Sequence, residues 1–215
     1  MDDLAPRSLS QALVAIEALA TVAFALSGLI EAARKRLDAV GVCVVAFLAA
    51  LGGGTLRDVL LDRRPFVWVA NPAWLWVLLA LCGIAMLVLR ARHLAPTERA
   101  MQWPDALGMG LFAATGTDIA LRSDLPSIVA VLMGVVTAVF GGVLRDIVCN
   151  EIPRAFRDHR PYALCAFAGG WVLVLLTGLG ASQAWSLVAA AATAAGLRGL
   201  ALASGFRLPT WGRDD

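Results

Sequence analysis

Two Arg-Asp pairs, Arg57-Asp58 and Arg145-Asp146, interrupt stretches that are otherwise apolar or small. Ionised side chains at membrane depth are costly unless paired or hydrated, and by default they mark a route for ions or solutes. Each pair follows a glycine run: Gly52, Gly53 and Gly54 before the first, Gly141 and Gly142 before the second. An interior glycine costs a helix about 1 kcal/mol against alanine, and adjacent glycines are a recognised cause of kinks. A break at these points would free carbonyls at the end of one half-helix, where partial negative charge suits a cation. Such groups are tolerated at membrane depth only when buried in protein or facing water. Close helix packing is the competing use of small residues, but beside an Arg-Asp pair these glycines are expected to form functional kinks. Residues i and i+1 do not share a helix face. The arginine of a pair is therefore expected to reach the pathway or the broken helix, while the aspartate braces a different neighbour. The alternative places all four charges at the membrane surface, snorkelling to water.

The elements that would hold these residues are apolar runs of spanning length. The chain has 215 residues, 60% of them apolar and 16% charged, and the charges gather in short clusters. A helix needs roughly 20 residues to cross the hydrocarbon core. Seven windows qualify, at 12–30, 39–61, 72–89, 104–121, 127–149, 162–179 and 184–203. Short connections between them leave no room for a soluble domain. The acidic start, Met1-Asp2-Asp3, does not read as a removable signal peptide. Sorted by flank, eleven Lys and Arg fall on one side (including Arg34, Lys35, Arg36, Arg90, Arg92, Arg154 and Arg213) against four on the other, Arg7, Arg63, Arg64 and Arg122. That bias puts the N-terminus outside and the C-terminus in the cytoplasm. The expected fold is an all-α membrane protein, a single membrane domain over 1–215.

The chain also resembles itself at an offset of 88 residues, with 15 of 49 positions identical between 17–65 and 105–153. The matches include Gly53-Gly54-Thr55-Leu56-Arg57-Asp58 with Gly141-Gly142-Val143-Leu144-Arg145-Asp146, and Pro65 with Pro153. Glu17 and Asp105 place a carboxylate at the same point of each unit. An offset of three spans reverses direction, so two inverted three-helix units are expected, over 12–90 and 104–179, with a seventh helix at 184–203 outside the repeat. The glycine runs would then converge near the midplane. Arg198 either snorkels or closes a buried network, and Asp118, whose repeat equivalent is Ile30, supports that network or lies at the interface. No phosphate-binding loop follows Gly52-Gly53-Gly54, since the Gly-Lys-Ser/Thr signature is missing. The only lysine, Lys35, lies in a basic loop, which excludes a retinal Schiff base in the last span. His93 and His159 fall in loops and the four cysteines are isolated, so neither a catalytic triad nor a metal site is expected. No enzyme activity, cofactor or nucleic-acid partner is expected.

These motifs, with Phe24-Ala25-Leu26-Ser27-Gly28, Asp38-Ala39-Val40-Gly41 and the closing Arg198 and Phe206-Arg207-Leu208-Pro209, resemble the prokaryotic branch of the trimeric intracellular cation (TRIC) channels. Such sequences also circulate as uncharacterised membrane proteins and as "glycine transporter". The resemblance implies a homotrimer in the inner (plasma) membrane, with one pore per protomer conducting a monovalent cation, chiefly K⁺, or Na⁺. By motif it implies kinks at Gly53-Gly54 and Gly141-Gly142, with Arg57, Asp58, Arg145 and Asp146 beside the pathway. The alternative is a secondary transporter of a small solute such as glycine, since inverted repeats and broken helices serve transporters too.

Overall fold

The computed structural model describes residues 4–92, 97–157 and 159–209, apart from the side chains of 4–10 and 89–92. His93 and Arg213, counted above, lie outside the described residues. The chain forms α1 (Leu4–Arg34), α2 (Ala39–Leu60), α3 (Val67–Ala70), α4 (Ala73–Arg92), α5 (Glu98–Leu121), α6 (Ser127–Val148), α7 (Arg154–Arg157), α8 (Ala163–Gly178) and α9 (Gln183–Ser204).

The helix starts follow capping chemistry, in which a side-chain oxygen accepts from an otherwise unpaired first-turn amide. Asp38 accepts from Gly41 N at 2.8 Å to open α2, and Thr97 from Ala100 N at 3.2 Å to open α5. The Thr97 cap starts α5 at Glu98, so the expected start at Pro104 is corrected: the proline lies inside the helix. Gly205, at φ 70°, ends α9 in the left-handed conformation that only glycine adopts freely. α3 and α7 were not foreseen; each is four residues long and follows Pro65 or Pro153 closely.

Among the described residues four helical stretches are long and apolar enough to cross a membrane, Gln11–Arg34, Ala39–Leu60, Ser127–Val148 and Gln183–Ser204, with shorter apolar runs at Ala73–Val88 and Ala163–Gly178. α5 is more polar, because it carries Glu98, Arg99, Gln102, Asp105 and Asp118. It is nonetheless the centre of the bundle, packed against α1, α6, α8 and α9. The core is built from small residues, among them Ala113, Ala114, Ala138 and Ala194, which let helix backbones approach closely.

Contacts recur 88 residues apart. Gly28 packs on Ala46 where α1 meets α2, and Gly116 packs on Gly134 where α5 meets α6. Phe24 stacks on its own counterpart, Phe112, with ring centroids 5.6 Å apart. α2 and α6 meet at their glycines. A Cβ on Gly53 would lie 2.0 Å from Thr137 O, and one on Gly141 2.3 Å from Ala49 O.

That crossing corrects the expectation of broken helices. α2 runs unbroken through Gly52, Gly53 and Gly54, and α6 through Gly141 and Gly142. The glycines do converge, but as a backbone-to-backbone contact rather than as ends that release carbonyls. The physical reason is that a missing Cβ lowers helix propensity and permits close approach at once, and only the neighbouring backbone decides which property is used.

Candidate functional site

Each Arg-Asp pair ends a long helix, at the last turn of α2 or α6, where the chain is about to leave the bundle. Both guanidiniums are buried, Arg57 at 1% and Arg145 at 2% exposure, so surface snorkelling does not occur. Arg57 donates from Nε to Asp58 Oδ1 at 2.9 Å and from Nη1 to Glu17 Oε1 at 2.7 Å. Arg145 donates from Nε to Asp146 Oδ1 at 2.9 Å and from Nη1 to Asp105 Oδ1. Different partners for the arginine and aspartate of one pair were expected. The side chain instead folds back along the helix end, where three flexible methylenes let the guanidinium meet the adjacent carboxylate. In each trio one guanidinium faces two carboxylates, and in the first Arg63 Nη1 also lies 3.6 Å from Asp58 Oδ1. Such close pairing offsets the desolvation of buried charges.

The first trio borders a cavity of about 70 Å³ lined by Glu17, Thr21, Thr55, Arg57, Trp68 and Trp74. Glu17 keeps 17% of its side chain exposed there. Trp68, from α3, donates its indole N–H to Thr55 Oγ1 at 3.2 Å and forms one wall. Gly54 also faces this space, with Arg57 Nη2 3.9 Å from where its Cβ would be. Gly52 instead packs on Leu144.

The second trio is closed over. Tyr162 donates its hydroxyl to Asp105 Oδ2 at 2.7 Å, and the Arg198 guanidinium lies 4.8 Å above the Tyr162 ring. Ser27 receives a hydrogen bond from Arg145 and donates to Asp105 at 3.3 Å. Arg154 N donates to Asp146 Oδ2 at 2.9 Å. Gly142 looks into this cluster, with Arg145, Asp105 and Tyr162 within 3.6 Å of where its Cβ would be.

Arg198 is thus buried beside the second trio. Asp118 lies elsewhere, buried and bonded to Arg122 Nε at 2.9 Å and to Gln183 Nε2 at 2.7 Å, joining the end of α5 to the start of α9. Sequence reasoning missed Tyr162, Ser27 and Arg154. Tyr162 is the only tyrosine in the chain, and Ser27 lies within Phe24-Ala25-Leu26-Ser27-Gly28. Arg154 was counted as a loop charge. It is buried, 3.0 Å from Glu31 Oε2, and reaches Glu98 at 3.4 Å. Its signal was available, since it follows the Pro153 that pairs with Pro65.

Comparison with known proteins gives the family and the fold. The sequence model of the family described as "Glycine transporter" matches residues 14–91 and again 102–178. A UPF0126 membrane protein of Vibrio cholerae is 33% identical over 177 residues, covering 80% of this chain and 72% of that protein. The UPF0126 inner membrane protein YadS of Escherichia coli is 34% identical over 157 residues, covering 73% of this chain and 75% of its own. Among solved structures, the TRIC trimeric intracellular cation channel orthologue from Rhodobacter sphaeroides superposes with a TM-score of 0.82 at 34% identity, over 90% of this chain and 98% of that one. A second TRIC cation channel structure, solved to explain conductance, gives 0.81 at 31% identity over 93% and 97%.

Proposed function

Given that the chain belongs to the UPF0126 membrane proteins, the family described as glycine transporter, and shares the fold of TRIC cation channels, we propose that it is a cation channel of the inner membrane. It conducts monovalent cations, K⁺ or Na⁺, as a homotrimer with one pore in each protomer. Its seven long helices cross the bilayer as two inverted three-helix units and a seventh helix, with the N-terminus outside and the C-terminus in the cytoplasm. The pathway runs from the cavity at Glu17, past the crossing of α2 and α6, to the cluster at Asp105.

The observation that carries this reading is the pair of buried trios, each with one guanidinium and two carboxylates. The carboxylates offer a cation oxygen ligands in a low-dielectric surround, while Arg63 beside Asp58 and Arg198 over Tyr162 keep the total charge of each cluster near zero. Arginine in a cation pathway then acts as a tether: it holds two carboxylates at membrane depth and lowers their attraction enough for an ion to leave. The same chemistry recurs in the last turns of α2 and α6, which supports a pathway with one cluster toward each side. The purified protein in a planar bilayer under a KCl gradient is expected to give discrete current steps reversing near the K⁺ potential. Steps reversing at the chloride potential would refute the assignment.

A second reading, a transporter of a small zwitterion such as glycine, is favoured by one observation. One trio borders a cavity while its repeat counterpart is closed, an asymmetry that alternating access would exploit. Proteoliposomes that accumulate labelled glycine, with a silent bilayer from the same preparation, would establish this reading instead.

A further inference from the structure

The walls of the cavity beside the first trio carry a chemistry of their own. Arg57 and Arg63 offset Glu17 and Asp58, so charge by itself selects no guest there. Hydrogen-bond valence does. Arg57 turns Nε, Nη1 and Nη2 toward the carboxylates of Asp58 and Glu17 at 2.7–2.9 Å. Trp68 gives its indole N–H to Thr55 Oγ1. The hydroxyls of Thr21 and Thr55 donate to the carbonyls of Glu17 and Leu51, at 2.8 and 2.7 Å. What the carboxylate and the hydroxyls still offer is therefore acceptor capacity. Glu17 Oε2 receives no hydrogen bond from the described residues, and both threonine oxygens keep a lone pair. The rest of the wall includes Val14, Ala50, Leu51 and the Trp68 ring, which is stacked on Phe66 with centroids 6.0 Å apart.

A matching guest donates N–H in several directions and turns an apolar surface to a ring. A primary ammonium has three donors and no acceptor, and an aromatic ring attracts an organic cation. An alkali ion would use the oxygens but gain little from Val14, Ala50 and Leu51. The carboxylate of a zwitterion would have to compete with Glu17 and Asp58 for Arg57. The cavity, at about 70 Å³, exceeds what one water needs and suits a small alkylammonium. The second unit offers no equivalent. Asp105 Oδ2 is taken by the Tyr162 hydroxyl at 2.7 Å, and Met109 and Val143 stand where the first unit has Thr21 and Thr55.

We propose that this cavity binds a small primary alkylammonium ion, with its N–H groups on Glu17 Oε2, Thr21 Oγ1 and Thr55 Oγ1 and its alkyl group against the Trp68 ring. The proposal deepens the reading of the cavity as the mouth of a cation pathway and rests on it. Occupancy is nonetheless separable from conduction, because it is read without a membrane potential.

The test is saturation-transfer NMR on the methyl signal of methylammonium chloride, titrated into the full chain in deuterated detergent at constant ionic strength. Saturation transfer is expected with the wild type. Affinity should fall about fivefold in Trp68→Leu, which removes the ring, and in Thr21→Val, which removes one acceptor. It should stay unchanged in Trp103→Leu, an exposed indole outside the cavity. Thermal unfolding confirms that each variant is folded. No transfer with the wild type would overturn the site, as would an equal loss in Trp103→Leu, which would mean general adsorption to indoles. Displacement of methylammonium by KCl as effective as by ethylammonium would reduce the cavity to a plain monovalent-cation site. Equally effective displacement by glycine would make it a zwitterion site, and either result overturns the proposal. K⁺ current steps from a protein that binds no methylammonium would refute the alkylammonium site and leave the channel standing.

Discussion

The two arginine–carboxylate trios are made from equivalent repeat positions, yet one borders a cavity and the other is closed. Arg57, Glu17 and Asp58 have Arg145, Asp105 and Asp146 as counterparts 88 residues on, and both guanidiniums make the same two kinds of bond. The difference lies in what covers them. Tyr162 carries a hydroxyl that reaches Asp105, whereas its counterpart Trp74 lines the cavity beside Glu17. Ser27 bridges Arg145 and Asp105, while its counterpart Thr115 is fully buried with no hydrogen-bond partner among the described residues. Arg198 comes from α9, which has no repeat counterpart, and caps the Tyr162 ring. Equivalent positions thus carry like charge clusters, with Glu17 in one where Asp105 stands in the other, and the side chains around them leave one beside a cavity and cover the other.

The strongest way to break this comparison is to remove each arginine. Arg145→Met leaves Asp105 and Asp146 buried without their cation, and should cost about 3–5 kcal/mol. Arg57→Met should cost less, because water in the cavity reaches Glu17. Thermal unfolding in detergent measures both, and equal losses would mean that the cavity does not relieve the first trio.

Next come the glycines of the crossing. Gly53→Ala and Gly141→Ala place a methyl inside a facing carbonyl, and about 1–3 kcal/mol each is expected from overpacking. Gly83→Ala, with nothing within 4 Å of its Cβ position, should be neutral or stabilising in the same unfolding assay. A tolerant Gly53 would bring back the kink in place of the contact.

Tyr162→Phe keeps the ring under Arg198 but removes the bond to Asp105, a loss of about 1.5–3 kcal/mol for a hydrogen bond to a charged group. In recordings it should raise the open fraction, while Trp74→Phe, on the vestibule side, should leave it unchanged. The smallest contrast is Ser27→Ala, at about 1 kcal/mol, against Thr115→Val, which removes a hydroxyl that bonds to nothing described and should be neutral in melting temperature.

How much of this was legible in the sequence depends on which kind of signal carried it. The repeat register singled out Glu17 and Asp105 as a carboxylate shared by both units, but their pairing with Arg57 and Arg145 is a tertiary contact that the register did not give. The partner choice within each pair was misread, since helix-face geometry describes Cβ directions and not the reach of an arginine at a helix end. The glycine runs were legible as special, with close packing weighed second to a kink, because the position of the Thr137 carbonyl opposite Gly53 is a tertiary fact. α3 and α7 are too short to show a hydrophobic period. The role of Tyr162 was hidden for a similar reason. One tyrosine at the start of an apolar run looks like an interfacial anchor until α8 is docked on α6.

The most direct test is single-channel recording of the wild type and Tyr162→Phe in asymmetric KCl. The account predicts steps that reverse near the K⁺ potential in both, with the variant open for a larger share of the time. Silence from both proteins, or reversal at the chloride potential, would contradict it.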